Sequence, residues 1–164
     1  MQIVTVEKGG GEAFLRRKTA PFDFARFSKK EIAELLRAMR AAMKAAQGVG
    51  LAANQVGLDI AVFVAQVENK FYAVFNPEIT AASADVELLD EGCLSVPGAY
   101  GATPRATRVT LAGYDKNGKK IKIKAWGLLA RVFQHEVDHL NGVLFIDKAR
   151  DLRKYENERK YENA

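Results

Sequence analysis

The 164-residue sequence contains one cysteine, two histidines, one tryptophan and four prolines. A single cysteine excludes an internal disulfide framework, and with it the small secreted scaffolds that depend on cross-links. Apolar runs such as Ile60 to Ala65 fall far short of the roughly 20 residues that a membrane-spanning helix requires. The opening Met1-Gln2-Ile3-Val4-Thr5-Val6-Glu7 lacks the basic and apolar regions of a secretory leader. A cytoplasmic protein without membrane contact is therefore expected. Zinc-finger spacings, RNA-binding aromatic motifs and helix-turn-helix patterns are missing too. The net charge of +5 (pI about 9.3) thus reads as a solvated basic surface, and no direct sequence-specific nucleic-acid binding is expected.

The composition that remains, 48% hydrophobic and 27% charged, suits one globular domain spanning residues 1–164, with 148–164 as a polar tail. Residues 1–27 read as irregular. Ser28 and Glu31 have the spacing of a capping box, and Ile32, Leu35, Leu36, Met39 and Met43 then mark one face of an amphipathic helix ending at Gly48. Short strands follow at Ile60–Gln66, at Lys70–Phe75 (stopped by Asn76-Pro77), and at Val86–Leu89. Val109, Leu111 and Gly113 alternate with polar or small residues before the turn Asp115-Lys116-Asn117-Gly118. The return strand Lys120–Lys124 alternates strictly, so its lysines are expected to face water. A second helix, Gly127–Leu140, carries apolar residues around most of its circumference and is expected to be buried. The tail repeats Arg-Lys-Tyr-Glu-Asn at 153–157 and 159–163, and reads as an exposed helix or a frayed end. Strands segregated from helices indicate an α+β fold.

The chemistry concentrates in three segments. His135-Glu136-Val137-Asp138-His139 is HExxH: residues four apart share a helix face, so both imidazoles can reach one ion. Glu136 then stands beside the first ligand as a proton acceptor. Short motifs do recur by chance, but these are the only histidines in the chain, and they lie in a helix expected to be buried. A third ligand is needed, and no histidine follows His139. Cys93, in Glu91-Gly92-Cys93-Leu94-Ser95, follows a strand and can supply a thiolate; a lone cysteine is otherwise commonly an inert core residue. Gly48-Val49-Gly50-Leu51-Ala52-Ala53-Asn54-Gln55 fails as a phosphate loop for want of Gly-Lys-Ser/Thr. Its small residues allow backbone to approach a ligand beside the Gln55 amide; the plainer reading is a helix cap followed by a turn. Leu128 and Val132, preceding His135 by two turns and one, can line an apolar pocket with Val49 and Leu89, or belong to the core. Arg105 and Glu91 are candidates for an ion pair bracing the Cys93 loop.

Together GxGLAAxQ, EGCLS and HExxH, in that order, resemble the peptide deformylase family over about Leu15 to Asp147. The resemblance implies short antiparallel strands packed around a central helix carrying HExxH, behind an N-terminal amphipathic helix. It implies a bacterial-type enzyme that removes the N-formyl group from the formylmethionine of nascent polypeptides and releases formate. Its cofactor would be one divalent metal ion, Fe2+ with Zn2+, Ni2+ or Co2+ as substitutes. Cys93, His135 and His139 would be ligands and Glu136 the general acid/base. Gln55 and the backbone N–H of Leu94 would form the oxyanion hole, and Gly50 would bond the substrate backbone. Formylmethionyl nascent peptides would be the partners, with the ribosome as a further one. The usual Pro-Val before Leu15-Arg16 is missing, which bears on that loop and not on the chemistry. Two rivals stand beside this reading: an HExxH metallopeptidase with another third ligand, and a ribosome-associated metal-binding protein without activity.

Overall fold

A computed structural model describes residues 1–154. The elements are α1 (Gly11–Leu15), α2 (Lys29–Ala45), β1 (Gly50–Ala52), β2 (Val62–Val67), β3 (Lys70–Ala82), β4 (Val86–Cys93), β5 (Val96–Ala106), β6 (Arg108–Tyr114), β7 (Lys120–Trp126), α3 (Gly127–Leu140) and β8 (Arg150–Lys154). Three one-turn 3-10 segments join them, at Phe24–Arg26, Ala53–Val56 and Phe145–Asp147. The strands form two antiparallel sheets, a five-stranded one in the order β1-β2-β3-β6-β7 and a three-stranded one in the order β4-β5-β8. This is a mixed α/β architecture with few helices, the coarse form of the α+β expectation.

The large sheet is covered on both faces, and β2 shows how. Val62 and Val64 point to a cluster with Ile32, Leu36, Met39 and Met43 of α2. Phe63 and Ala65 point the other way, to Val132, Phe133 and Val137 of α3. A strand covered on both sides needs apolar residues at every position, so the run from Ile60 onward is continuous instead of alternating. On β7, Lys120, Lys122 and Lys124 are exposed while Ile121 and Ile123 are half-buried, as strict alternation required. The capping box of α2 forms as its spacing indicated, with Ser28 Oγ accepting from the Glu31 N–H and the Glu31 carboxylate accepting from the Ser28 N–H.

Several boundaries differ from the sequence reading. The turn after α2 places Gln47, not Gly48, in the left-handed region (φ 56°). Asn76-Pro77 does not stop β3: Asn76 adopts φ 48° at a register shift and the strand continues to Ala82, because the Asn76 side chain bonds the Phe22 backbone on both its polar atoms. Residues 1–27 include a short helix. α3 is not buried all round, since Leu128 near its start is 55% exposed. Residues 150–154 form a strand paired with β5, not a helix; the remainder of the tail, including the second repeat, lies outside the described residues. β5 itself went unread, since Pro97, Pro104 and several small residues hide it. Pro104 is tolerated because it stands beyond the last residue that β8 pairs, where a missing N–H costs no ladder bond. No helix among the described residues is long and apolar enough to cross a membrane.

Phe133 fixes α3 to the sheet: it is fully buried, 5.6 Å from the Phe63 ring and 5.4 Å from Tyr72. Phe133→Ala is expected to cost about 3–5 kcal/mol. Urea unfolding would show this as a lower midpoint at unchanged slope.

Candidate metal centre and substrate cleft

Two elements bring the three candidate ligands together. α3 carries His135 and His139 one turn apart, and their Nε2 atoms approach to 3.2 Å. Cys93 ends β4, where a register shift and the tight Leu94-Ser95 turn into β5 swing its Sγ to 3.1 Å from His139 Nε2. The ligand atoms of the three residues all lie within 4.8 Å of one another. Gly92, just before Cys93, leaves room for the Tyr100 ring, since a Cβ there would sit 2.6 Å from that ring.

The electrostatics of this cluster are those of a cation site. Burial would raise the Cys93 thiol, but the two imidazoles, His139 foremost, hold it well below the usual thiol range. Burial would likewise lower His135, yet Cys93 and Glu91 push it up to about 10. A thiolate and two ring nitrogens facing each other at these distances require a positive charge among them, a proton or a metal ion. One sulfur and two nitrogens match the preference of borderline divalent transition metals. Glu91 Oε2 stands 3.2 Å from His135 Nδ1. A carboxylate there fixes the tautomer that leaves Nε2 free to bind an ion. The residues present therefore fit a metal.

Glu91 is itself held in place. Arg105 grips it with two bonds of 2.9 Å, and Arg131 adds a third of 2.7 Å. Burial acts against its charge, but His135 and Arg105 prevail and lower its carboxyl to about 2. Arg105 also bonds Asp138, which in turn pairs with Lys148. The expected Arg105–Glu91 pair is thus one link of a buried network. Sequence reasoning missed Arg131 and Asp138 as its members, although helical spacing puts both beside His135: one turn before it and three residues after.

Glu136 is 3% exposed, and its Oε2 has no hydrogen-bond partner. Burial raises its carboxyl to about 7 even though both imidazoles pull the other way. Its other oxygen packs against Gly50, where a Cβ would come within 2.2 Å of Oε1. The glycine of β1 is thus what leaves room for this carboxylate. Gln55 is buried in the 3-10 segment after β1; its Oε1 accepts from the Ala52 N–H at 2.9 Å. That bond aims Nε2 at Ser95 Oγ (3.2 Å) and Cys93 Sγ (3.6 Å), on the edge of the cluster. Asn54 beside it donates to the His139 carbonyl at 2.6 Å, tying this segment to α3.

A cleft of about 480 Å³ opens onto these groups, within the range of ordinary ligand sites. Val49, Gly50, Leu94, Leu128, Val132, His135 and Glu136 line it, as does Cys93. Leu89, expected in the apolar wall, is not among the residues that line it; β4 contributes Asp90, Glu91 and Gly92 beside Cys93.

Fold and site together describe a hydrolase whose HExxH helix and neighbouring strand frame a metal-binding cluster. The chain belongs to the peptide deformylase family: the family described as polypeptide deformylase matches residues 2–155. A peptide deformylase of Treponema pallidum (strain Nichols) is 47% identical over 135 residues, covering 80% of this chain and 83% of that protein. The enzyme of Halothermothrix orenii is 44% identical over 150 residues, covering 90% and 94%. A Met-Ala-Ser-bound crystal structure of the Acinetobacter baumannii class I type b enzyme superposes with a TM-score of 0.84 at 32% identity, covering 90% of this chain and 97% of that one. The protein is an enzyme that removes the N-formyl group from nascent polypeptides. The internal-peptide-bond and inactive readings are thereby set aside.

Gly50→Ala tests the packing of the carboxylate. The added methyl group must displace Glu136, and the expected result is a loss of kcat on the order of 10²-fold or more, the scale of general acid–base catalysis, with metal content unchanged. Steady-state kinetics on a formylated peptide, with metal analysis of the same samples, measures both.

Proposed function

We propose that Cys93, His135 and His139 hold one divalent metal ion beside Glu136, and that the cleft receives the formylmethionyl end of a nascent chain. The observation that carries this reading is the buried Glu136 carboxylate, with one oxygen free, against the three-donor cluster. Fe2+ is the proposed ion, with Zn2+, Ni2+ or Co2+ as substitutes, since thiolate and imidazole donors accept all of these. When bound, such an ion lowers the pKa of a water, to ~7 in well-studied zinc sites, and polarises a carbonyl.

The protein groups do the rest. Glu136, with its carboxyl at about 7, is poised to take a proton from the attacking water near neutral pH and to give it to the departing amine. Gln55 Nε2 and the Leu94 N–H donate to the formyl oxygen as negative charge grows on it. The Gln55 Oε1 bond to Ala52 fixes the amide so that the donor needs no reorganisation during reaction. Gly50 offers its backbone to the substrate. Val49, Leu128 and Val132 give the methionine side chain an apolar wall. The Met-Ala-Ser bound to the Acinetobacter baumannii enzyme supports a tripeptide-length occupant. We read residues 1–164 as one catalytic domain, cytoplasmic, and working beside the ribosome, where formylated termini emerge and a net charge of +5 suits acidic surroundings.

Formate release from a formyl-Met tripeptide tests the roles. Glu136→Ala is expected to abolish release while retaining the metal. Gln55→Ala should lose on the order of 10²–10³ in kcat. Full activity in either variant, measured on metal-loaded protein, contradicts that residue's assignment.

A further inference from the structure

The metal cluster straddles two pieces of structure: α3 supplies both histidines, and the β4–β5 ribbon supplies Cys93. The turn end of that ribbon packs through Val96 and Ala99 onto Leu15, Leu144 and Phe145. The other end has little apolar anchorage: residues 86–90 are all exposed, Val86 at 59% and Leu88 and Leu89 each at 47%. A polar stripe along α3 at helical spacing, Arg131, Gln134, His135 and Asp138, holds it instead. Gln134 pairs with both the N–H and the carbonyl of Ala106, at 3.0 and 2.9 Å. Asp138 and His135 reach Arg105 and Glu91.

Arg131 alone in the stripe spans both strands. Its Nη1 donates to Glu91 Oε1 at 2.7 Å and to the Thr103 carbonyl of β5 at 2.9 Å, and its Nη2 donates to the Glu87 carbonyl of β4 at 2.9 Å. The substrate cleft lies between the same two bodies, with Leu128, Arg131 and Val132 on one side, Asp90 to Leu94 and Val96 to Tyr100 on the other, and Gln47 to Gly50 completing it.

We propose that Arg131 is a positioning residue that clamps both strands of the ribbon to the site helix. It thereby sets the width of the substrate cleft and keeps Cys93 within reach of the two imidazoles. This rests on the ligand assignment above. A planar fork with several fixed donors suits the task, whereas a lysine offers one flexible point of attachment.

The test compares wild type with Arg131→Met, which keeps an unbranched apolar stem but no donors, and with Arg131→Lys. Each is loaded with Co2+, and two quantities are read: the rate of Co2+ loss to excess chelator, followed by the thiolate–cobalt absorption, and KM against kcat for formyl-Met-Ala-Ser. Arg131→Met is expected to release Co2+ about 10–100-fold faster, the usual scale for residues that orient ligands. Its KM should rise about tenfold, with a smaller fall in kcat. Arg131→Lys should restore much of the metal retention through Glu91 but not KM, because the Thr103 and Glu87 carbonyls stay unclamped. Arg131→Met within about twofold of wild type in both quantities overturns the proposal. So does full recovery of both in Arg131→Lys, which would leave charge alone as the cause. If Arg131→Met fails to fold, the KM of Arg131→Lys decides: a wild-type value refutes the clamp. Wild-type protein that takes up no Co2+ refutes the ligand assignment, and KM measured on the enzyme as purified still judges the clamp.

Discussion

A buried carboxylate, Glu91, is the point on which the site depends. Three cationic or hydrogen-bonding partners converge on it from two elements: Arg105 from its own ribbon, and Arg131 and His135 from the helix. Removing such a charge from water is costly and is offset only when its lone pairs are engaged with good geometry. Here both oxygens are, and the consequence reaches beyond stability. The bond to His135 Nδ1 orients that ring, and the arginines hold the strand that ends in Cys93. One buried anion therefore organises both halves of the cluster. Cutting any single partner would leave a desolvated charge incompletely paired, which is commonly worse than having no pair at all.

The catalytic carboxylate is treated in the opposite way. Glu91 and Glu136 are both nearly inaccessible, yet the first is driven to about 2 and the second to about 7. The difference is the neighbourhood. Arginines bond Glu91 directly, whereas Glu136 rests against the bare backbone of Gly50 with one oxygen unpartnered. Two carboxylates far apart in sequence thus acquire different duties, one permanently charged and structural, the other able to exchange a proton near neutral pH.

How far the sequence could be read follows from how local each signal is. The HExxH spacing needs only a helix to bring two rings to one face, and the two long helices, α2 and α3, are legible from periodicity and the Ser28–Glu31 cap. The strictly alternating β7 was equally plain. Long-range facts were less so. β5 was hidden because its two prolines and small residues suit a strand only where β8 does not need their N–H groups. Asn76-Pro77 looked like a stop because the Phe22 backbone that holds Asn76 is 54 residues away. Helical spacing alone puts Arg131 and Asp138 beside His135, but their partners Glu91 and Arg105 lie on a ribbon that no local pattern brings there.

The most direct test of the account is X-ray absorption on protein carrying one equivalent of Co2+, compared between wild type and Cys93→Ala. One sulfur among nitrogen and oxygen neighbours is expected in wild type, and its loss in the variant. A wild-type spectrum without sulfur, or one unchanged by Cys93→Ala, would contradict the three-donor centre on which the mechanism rests.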